Sequence, residues 1–503
     1  MPKPIVTADE AVRHIQDDQT IAIGGSGSGH SIAEQLLAAL GRRFRQSGSP
    51  RGLTLVHPFG VGNQKDKGLE HLADPVLIRR VIGGHWSMSP SMARLAAENK
   101  IEAYNLPAGI ITQMLGVTAA GSPGWISRIG LGTFIDPRLE GGKLNAAARE
   151  DLVELFHRDG EEYLYYKAFP IHVAFIRATA ADPAGNLNMD DEVSPWDNCA
   201  MAQAARRWGG FTIAQVKRTA AMYDLDPRTV RVPGIFVDYL VVDPNQGQTF
   251  QIHYDPALSG AARKPAEAWG PFPLTPRKVI ARRAALELFA GAVLNLGFGM
   301  PDGVMKVARE QGLDAEVTPT VEHGQIGGIP AEGLDFGASY NSTSLIETRH
   351  QFDFYHGRGV DLAFLGFAEV DAEGNVNVSR IESAVIGTGG FIDIAQGARK
   401  LVFCGTLTAR GAPKFVPRVK QVTFSGPRAL ADGHEVMYVT ETAVFRLARD
   451  GVELIEIAPE TPVEKVVSQM GFRPVTGPAV RPMSPELFRE ELLPRSLFRY
   501  FAG

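Results

Sequence analysis

The sequence predicts an α/β protein of two homologous domains, each a mainly parallel sheet covered by helices, joined by a linker. Three observations support this fold class. Strand and helix patterns alternate in both halves, several segments recur in the same order, and a stretch rich in Pro, Ala and Gly separates the copies. Such alternation is typical of parallel sheets with helices on both faces. A chain of 503 residues also exceeds what one core usually holds.

The repeat rests on three pairs of similar segments. In the first pair, each copy is an apolar strand, then a glycine turn, then a helix pattern with apolar residues at i, i+3 and i+4. The spacing between copies falls by about 80 residues after the first pair, which indicates an insertion of roughly that length in the first half, lying within residues 53–162. The pairs are 20–40 with 293–310, 173–189 with 362–378, and 202–207 with 395–400.

The domain boundaries follow from the linker. Residues 256–278 are rich in Pro, Ala and Gly and show no period, so they are assigned to the linker. The sequence therefore predicts an N-terminal domain at residues 1–255 and a C-terminal domain at residues 279–503.

Composition excludes several classes of function. A net charge of −5 argues against binding to nucleic acid through bulk charge. The N-terminal residues carry charges where a signal peptide has its apolar core, and the longest apolar run, about 14 residues, is too short to span a bilayer. Two cysteines in unrelated contexts, Cys199 and Cys404, fit a reducing cytoplasm. We therefore expect a cytoplasmic protein that binds neither membrane nor nucleic acid.

Glycine-rich turns follow several predicted strands, where ligands of parallel sheets bind. The turn at 295–303, "NLGFGMPDG", resembles a phosphate-cradling loop, and "GTGGFID" at 387–393 can direct backbone N–H groups at one oxygen. The alternative for both is a plain tight turn. The turn at 24–31, "GGSGSGHS", fails the serine-hydrolase pattern and is most simply a helix cap.

Glu322 stands apart from the other acids of this region. It closes an apolar strand and precedes Gly324, Gly327 and Gly328, which leave space around a carboxylate. The alternative is a hydrogen-bonded acid at a strand end. Neighbouring acids compete for the same role, namely Glu332, Asp335, Glu347, Glu369 and Glu382.

Metal chemistry is not expected. The sequence has no Cys/His cluster and no H-E-x-x-H motif. Residues 190–200 gather four acids but lack calcium-loop spacing, so a surface loop is predicted there.

These motifs together resemble the class I coenzyme A transferases, in the branch of fused chains that act on short-chain acyl-CoAs such as propionyl- and acetyl-CoA. The segment 320–341, "TVEHGQIGGIPAEGLDFGASYN", looks like the family's catalytic-glutamate segment. The turn at 295–303 is similar to the glycine loop of the family's C-terminal half, and 387–393 to the loop that faces the glutamate. The resemblance covers nearly the whole chain, with its motifs in the family's order.

The resemblance implies roles for individual residues. Glu322 would be the nucleophile, ionised at neutral pH because an ordinary glutamate has a pKa near 4.3, and would carry CoA as a covalent glutamyl-CoA thioester. Gly390 would donate its N–H to the oxyanion. CoA enters as a substrate, so no permanently bound cofactor is expected. The coenzyme phosphates would meet the turns at 297–299 and 389–391, which gives Gly297, Gly299, Met300, Gly389 and Phe391 as binding residues.

The sequence departs from the family's pattern at one position. Ala108 stands where the family has the glutamine that donates a second hydrogen bond to the oxyanion, and Gln113 is the nearest possible substitute. Replacing Ala108 by Gln is expected to raise the rate if the missing amide limits it. The gap also keeps two alternatives open, an acyl-CoA hydrolase and a CoA-binding regulator on the same fold. The resemblance further implies short carboxylic acids as partners and a homodimer or homotetramer.

Overall fold

The computed structural model describes residues 2–265, 268–498 and 501. Residues 266 and 267 of the predicted linker lie outside the described residues. So do residue 1 of the predicted N-terminal domain and residues 499, 500, 502 and 503 of the predicted C-terminal domain.

A nine-stranded sheet forms the first half. Its central strands run parallel in the order β4-β3-β2-β1-β8-β10-β12, and two short strands, β9 and β11, add antiparallel to one side of β8. Strand β8 is buried along its whole length, as expected of a central strand covered on both faces. The strands of this half are β1 (Thr20–Ile23), β2 (Leu53–His57), β3 (Ile78–Gly83), β4 (Glu102–Asn105), β5 (Gly124–Ser127), β6 (Val153–Arg158), β7 (Glu161–Lys167), β8 (Val173–Ala181), β9 (Leu187–Asn188), β10 (Phe211–Thr219), β11 (Val230–Val232) and β12 (Tyr239–Val242).

A ten-stranded sheet forms the second half. Strands β14-β13-β19-β24-β27 run parallel, β28 and β29 extend one edge antiparallel, and β30 closes that edge. Short two-stranded ribbons decorate the loops. The strands are β13 (Val293–Leu296), β14 (Thr318–Val321), β15 (Gln325–Ile326), β16 (Ile329–Pro330), β17 (Ser339–Tyr340), β18 (Ser344–Leu345), β19 (Val360–Gly366), β20 (Glu369–Val370), β21 (Val376–Asn377), β22 (Arg380–Ile381), β23 (Ala384–Val385), β24 (Ala398–Cys404), β25 (Thr408–Ala409), β26 (Ala412–Pro413), β27 (Glu435–Val439), β28 (Ala443–Ala448), β29 (Gly451–Ile457) and β30 (Val475–Pro482).

Helices connect many of the parallel strands, because a parallel pair needs a long crossover connection. Helix α2 joins β1 to β2 and α7 joins β13 to β14, while α5 and α9 occupy the next equivalent connections. The helices are α1 (Ala8–Ala11), α2 (Glu34–Ser47), α3 (Pro90–Ala97), α4 (Ala108–Ala119), α5 (Asn198–Arg207), α6 (Pro276–Ala285), α7 (Gly303–Glu310), α8 (Thr348–His356), α9 (Phe391–Gly397), α10 (Gly426–Ala431) and α11 (Val463–Val467).

The two sheets share one topology. Counted along each half, the five matching parallel strands lie in the order 2-1-3-4-5, β2-β1-β8-β10-β12 in the first and β14-β13-β19-β24-β27 in the second. The predicted fold class, two homologous α/β units with mainly parallel sheets, is confirmed. The third pair of segments matches less well, because residues 202–207 end α5 whereas residues 395–400 run from α9 into β24.

The range of residues 53–162, within which the insertion is predicted, contains shared core as well as extra chain. Strand β2 lies inside residues 53–162, yet it pairs with β1 as β14 pairs with β13, so it belongs to the shared core. Beyond β2, strands β3 and β4 extend the edge of the first sheet, and β5, β6 and β7 form a separate antiparallel sheet in the order β5-β7-β6.

The predicted linker ends in regular structure. Helix α6 begins at Pro276, so residues 276–278 belong to its first turn, and Pro at that position suits a helix start. The boundaries at 255 and 279 otherwise stay a prediction. In the part of the chain that the structure describes, no helix is long and apolar enough to cross a membrane.

Candidate active site

The carboxyl ends of the central strands of both halves face one cavity. In the second sheet the strand order reverses beside β13, and the chain leaves β13 at Gly297 and β19 at Gly366, which is where α/β sheets bind ligands. From the first half, Ser26 and Gly27 reach the same place from the turn after β1. These residues and others from both halves line a cavity of about 430 Å³.

Glu322 enters this cavity directly after β14. Its side chain is 16% exposed. The chain then turns back at Gly324, whose φ of 102° and close approach to the Ile346 carbonyl leave no room for a Cβ atom. The glycine that follows the acid is therefore required by the tight hairpin from β14 to β15. Glu322 thus lies between an apolar strand and a glycine-rich turn, as the sequence indicates.

Gly390 faces Glu322 from the loop before α9. A Cβ atom on Gly390 would overlap Oε2 of Glu322, and one on Gly389 would lie 4.0 Å from Oε1. The backbone N–H of Gly390 lowers the pKa of this carboxyl group, so it favours the ionised form. The structure therefore brings together the two residues predicted to be catalytic, although they are far apart in sequence.

The Glu322 carboxyl group has an unusual acidity. Burial raises its pKa to about 8, the negative charge of Asp393 adds to the rise, and the Gly390 N–H opposes it. The expectation that Glu322 is ionised at neutral pH is thus wrong for the free enzyme, because it used the pKa of a solvated glutamate. A carboxyl group shifted in this way, in a cavity, is typical of functional sites.

Asp393 is the second acid of the site. It is completely buried on α9, where it accepts hydrogen bonds from His356 Nε2 at 2.8 Å and from the Gly109 backbone N–H at 3.1 Å. Burial raises the pKa of Asp393, and the bond to His356 opposes the rise. Asp393 thus acts on Glu322 through its charge, from behind the loop that carries Gly390.

His323 lies on the other side of Glu322, with Nε2 3.7 Å from Oε1 of the carboxyl group. Its Nδ1 lies 2.8 Å from the Gly337 carbonyl, so the proton sits on Nδ1 and Nε2 is an acceptor. Ser26 Oγ lies 3.1 Å from Nε2 and donates to it. Burial lowers the pKa of His323 to about 4, which keeps the ring neutral. The acid therefore faces a neutral imidazole rather than a cation.

The first half supplies the packing around this imidazole. The Phe59 ring packs edge to face against the His323 ring, with 4.4 Å between the ring centroids, and the centroid of the Trp196 ring lies 5.0 Å from that of His323. Ser194 Oγ donates to the His323 carbonyl. The prediction of a surface loop at 190–200 is therefore wrong, because much of this segment is buried against the site. Its Glu192 is also buried, in an ion pair with Arg177.

The assignment of 24–31 to a helix cap is also wrong. Helix α2 begins only at Glu34, and Ala33 at its N-cap makes no side-chain hydrogen bond. The turn instead delivers Ser26 to the cavity. Neither Ser26 nor Trp196 could be found from sequence, because their role depends on the docking of the first half against the second.

A set of hydrogen bonds from the first half holds the Gly390 loop. Asn105 Nδ2 donates to the carbonyls of Gly83 and Gly84, at 2.7 and 2.6 Å, and its Oδ1 accepts from the Thr388 N–H at 3.0 Å. The Gly389 N–H donates to the Gly84 carbonyl at 2.8 Å. Asn105 is completely buried. It therefore links two loops of different halves at one point.

Ala108 completes this attachment through its backbone. Its N–H donates to the Gly389 carbonyl at 2.8 Å, while its methyl group is fully buried in the apolar cluster that contains Phe59 and Phe352. The amide of a glutamine at this position would have to pass between these apolar groups to reach the cavity, and a faster Ala108→Gln variant stays a prediction. Gln113 does not replace the missing amide, because its Nε2 donates to Asp353 Oδ1 at 2.6 Å.

The residues predicted to bind coenzyme separate into two groups. Gly297, Gly389 and Phe391 line the cavity, whereas Gly299 and Met300 are not among its lining residues. Within the described residues, no group of His, Cys, Asp and Glu is arranged to hold a metal ion.

The chain is similar to known enzymes over almost its whole length. Residues 5–243 match the family model described as coenzyme A transferase. The chain is 43% identical to the acetate CoA-transferase YdiF of Escherichia coli K12, over 96% of this chain and 95% of that protein. It is 39% identical to the caffeate CoA-transferase of Acetobacterium woodii, over 97% of each.

The fold matches a solved enzyme equally well. The crystal structure of the acyl-CoA transferase YdiF from Escherichia coli O157:H7, as a thioester complex with CoA, superposes with a TM-score of 0.92. The two chains are 42% identical, and the match covers 98% of this chain and 97% of that one.

Proposed function

The chain belongs to the coenzyme A transferase family and moves CoA between an acyl-CoA and a carboxylic acid, and from this premise we propose that Glu322 is the nucleophile that carries CoA between the two. The position of Glu322 carries the proposal, because its carboxyl group lies in the cavity against the Gly390 N–H. The thioester complex of the related Escherichia coli enzyme supports it.

The proposed reaction has two balanced half-reactions. The Glu322 carboxylate attacks the thioester carbonyl, the C–S bond breaks, and CoA leaves as its thiolate, so that an acyl-glutamyl anhydride remains. The thiolate then attacks the Glu322 carbonyl and expels the first carboxylate, which leaves glutamyl-CoA. An incoming acid reverses these steps and departs as the new acyl-CoA. The energy of the thioester is retained throughout, so no nucleotide hydrolysis is needed.

The Gly390 N–H can stabilise the second attack, in which the CoA thiolate adds to the Glu322 carbonyl. When the thiolate adds to the Glu322 carbonyl, negative charge develops on an oxygen beside that N–H, and one such donor lowers the barrier by about 3 kcal/mol. The attachment of the loop through Asn105 fixes the donor before substrate arrives. This arrangement does not require a glutamine at position 108.

The raised pKa of Glu322 fits the same role. Only the ionised form attacks, so the proton must leave Glu322 before the first half-reaction. The Asp393 charge makes the resulting carboxylate more basic than an ordinary glutamate and therefore a better nucleophile. The proposed reaction requires that water be kept from the anhydride, and the apolar side chains around Glu322, such as Phe59, support this.

A transfer assay tests the proposal. With acetyl-CoA and propionate, the enzyme should form propionyl-CoA and acetate with ping-pong kinetics and many turnovers. With acetyl-CoA alone it should stop after one equivalent. Steady release of free CoA without an acceptor would identify a hydrolase instead, and binding without either reaction would identify a regulator.

We also propose that the enzyme is a homodimer or homotetramer that acts in the cytoplasm, where its acyl-CoA substrates are formed. Cys199 and Cys404 are both free thiols, which suits a reducing compartment. Light scattering of the purified protein would establish the oligomeric state.

A further inference from the structure

The side chain of His85, from the first half, borders the same space as the Glu322 carboxyl group. A Cβ atom on Gly389 would lie 3.9 Å from Cδ2 of His85 and 4.0 Å from Oε1 of Glu322, so both side chains adjoin the space in front of this glycine. His85 is half-buried and lines the cavity. An imidazole therefore lies within reach of a small group bound against Glu322.

The backbone around His85 is bonded to the loop at 386–390. The carbonyl of the residue before it accepts a 2.8 Å hydrogen bond from the Gly389 N–H, and the Trp86 N–H after it donates to the Ile386 carbonyl at 2.8 Å. The imidazole is thus held in place relative to the loop that faces Glu322, rather than left on a free segment.

The orientation of the His85 ring leaves one nitrogen on the side of Glu322. Nδ1 lies 2.9 Å from the place of a Cβ atom on Gly60, whereas Cδ2, the neighbour of Nε2, is the ring atom closest to that place on Gly389. Ser87 Oγ lies 3.5 Å from Nε2, at the limit of a hydrogen bond. Burial lowers the pKa of His85 to about 4, so the ring is neutral and carries one N–H.

Three other polar side chains of the cavity already use their donors within the protein. Asn295 Nδ2 donates to Tyr355 Oη at 3.0 Å, and Ser26 donates to His323. The ring N–H of His323 itself is bonded to a backbone carbonyl. The N–H of His85 is engaged less strongly than these donors.

The first attack of the proposed reaction creates a need for such a donor. When the Glu322 carboxylate adds to the thioester carbonyl, negative charge develops on the carbonyl oxygen of the acyl group. The Gly390 N–H acts on the carboxyl group of Glu322 itself. A donor for the acyl oxygen has to lie across the space from Glu322, and a neutral imidazole can donate there without a buried positive charge.

We propose that His85 is a further catalytic residue, which carries its ring proton on Nε2 and donates a hydrogen bond to the acyl carbonyl oxygen as Glu322 attacks. This inference rests on the proposed function. The carbonyl re-forms as the C–S bond breaks, and His85 keeps its proton throughout. In the return half-reaction the same hydrogen bond forms when the CoA thiolate attacks the acyl carbonyl of the new anhydride.

Kinetics with two substitutions and two CoA donors test this inference. His85→Leu removes the hydrogen-bond donor, whereas His85→Gln retains an N–H near the place of Nε2. His350→Leu is the matched control, since His350 is an exposed histidine of α8. The CoA donors are acetyl-CoA and its dithioester analogue, each with propionate as acceptor. In the analogue, sulfur replaces the carbonyl oxygen, and sulfur is a weaker acceptor of hydrogen bonds.

We expect His85→Leu to lower kcat for acetyl-CoA about a hundredfold, the usual effect of losing one donor to an oxyanion, with a smaller change in KM. The ratio of kcat/KM for acetyl-CoA to that for the dithioester should fall about tenfold or more, because the analogue gains little from the donor. His85→Gln should keep most of the ratio, and His350→Leu should match the wild type. The ratio does not depend on how much of the enzyme is folded, since both substrates are measured with the same sample.

An undiminished kcat in His85→Leu would overturn the inference, as would an equal loss with both substrates, which would indicate a structural role. The proposed function fails separately, if the wild-type protein transfers no CoA from acetyl-CoA to propionate.

Discussion

Gly390 and Glu322 lie in direct contact across the cavity, and the Glu322 Oε2 atom occupies the place where a side chain at position 390 would begin. The glycine thus does two things. It lets the carboxyl group approach the loop, and it presents a backbone N–H to the same group. The close approach depends on the absence of a Cβ atom.

Gly390→Ala should therefore abolish most of the activity. The added methyl group overlaps Oε2 and also meets Phe352 at 3.0 Å, so either Glu322 or the loop must move. A shift of about 1 Å at a reacting group can cost a hundredfold. We expect kcat for acetyl-CoA and propionate to fall about a hundredfold or more. Gly270→Ala is the control and should retain activity, because a Cβ atom there would meet nothing within 4 Å. Full activity of Gly390→Ala would refute the contact.

The raised pKa of Glu322 predicts the pH dependence of the reaction. The nucleophile is active when ionised, so kcat/KM for acetyl-CoA should rise with pH and level off above an apparent pKa of about 8. An ordinary glutamate would give no dependence above about pH 6. A profile that is flat from well below to well above the raised pKa would contradict the assigned environment.

The variant Asp393→Asn separates the two causes of the raised pKa of Glu322, burial and the charge of Asp393. Removing the charge of Asp393 should move the apparent pKa of kcat/KM downwards, because a neighbouring negative charge disfavours ionisation of Glu322. The asparagine Oδ1 can still accept from the Gly109 N–H. Glu464→Asn, at an acid on the surface with a side chain 70% exposed, should leave the profile unchanged. An upward shift in Asp393→Asn would show that Asp393 does not act through its charge.

Asn105 should be a positioning residue for the Gly390 loop. Asn105→Ala removes the acceptor of the Thr388 N–H and the donor to Gly83, and a buried group left without a partner costs about 1–3 kcal/mol. We expect lower unfolding stability by that amount and a larger proportional loss in kcat than in substrate affinity. Asn245→Ala, at an exposed position, is the control. A change of stability with unchanged kcat would assign Asn105 a purely structural role.

The charge of the cavity predicts which acids are accepted. Among the described residues that line it, Glu322 is the one acid, no lysine or arginine is present, and burial lowers the pKa values of His85 and His323 to about 4. A second carboxylate on the substrate would be buried there without a cation. Butyrate and succinate have the same number of carbons, and butyrate should be favoured in kcat/KM about a hundredfold or more. Equal use of succinate would contradict this selection.

The sequence can predict the fold and the central acid because these depend on local patterns. The repeat of strand, glycine turn and helix appears in both halves, and Glu322 stands between an apolar strand and a glycine turn that the hairpin requires. The role of Gly390 follows only from the family resemblance, because the turn at 387–393 is by itself equally explained as a plain tight turn before a helix.

The remaining parts of the site depend on contacts between the halves. Asn105, Ser26 and Trp196 lie in segments whose sequence looks like ordinary loop or strand end, and each acquires its role from a partner more than 100 positions away. The raised pKa of Glu322 cannot be predicted from the sequence for the same reason. Its pKa depends on burial by both halves and on Asp393, neither of which a sequence window contains.

Mass spectrometry of the intact protein treated with acetyl-CoA, in the absence of an acceptor acid, tests the central claim most directly. The account predicts a gain equal to one CoA less one water, mapped by proteolysis to Glu322. Glu322→Gln should show no gain, and Glu464→Gln should show the same gain as the wild type. A protein that transfers CoA while carrying no adduct at Glu322, or carrying it on another residue, would contradict the account.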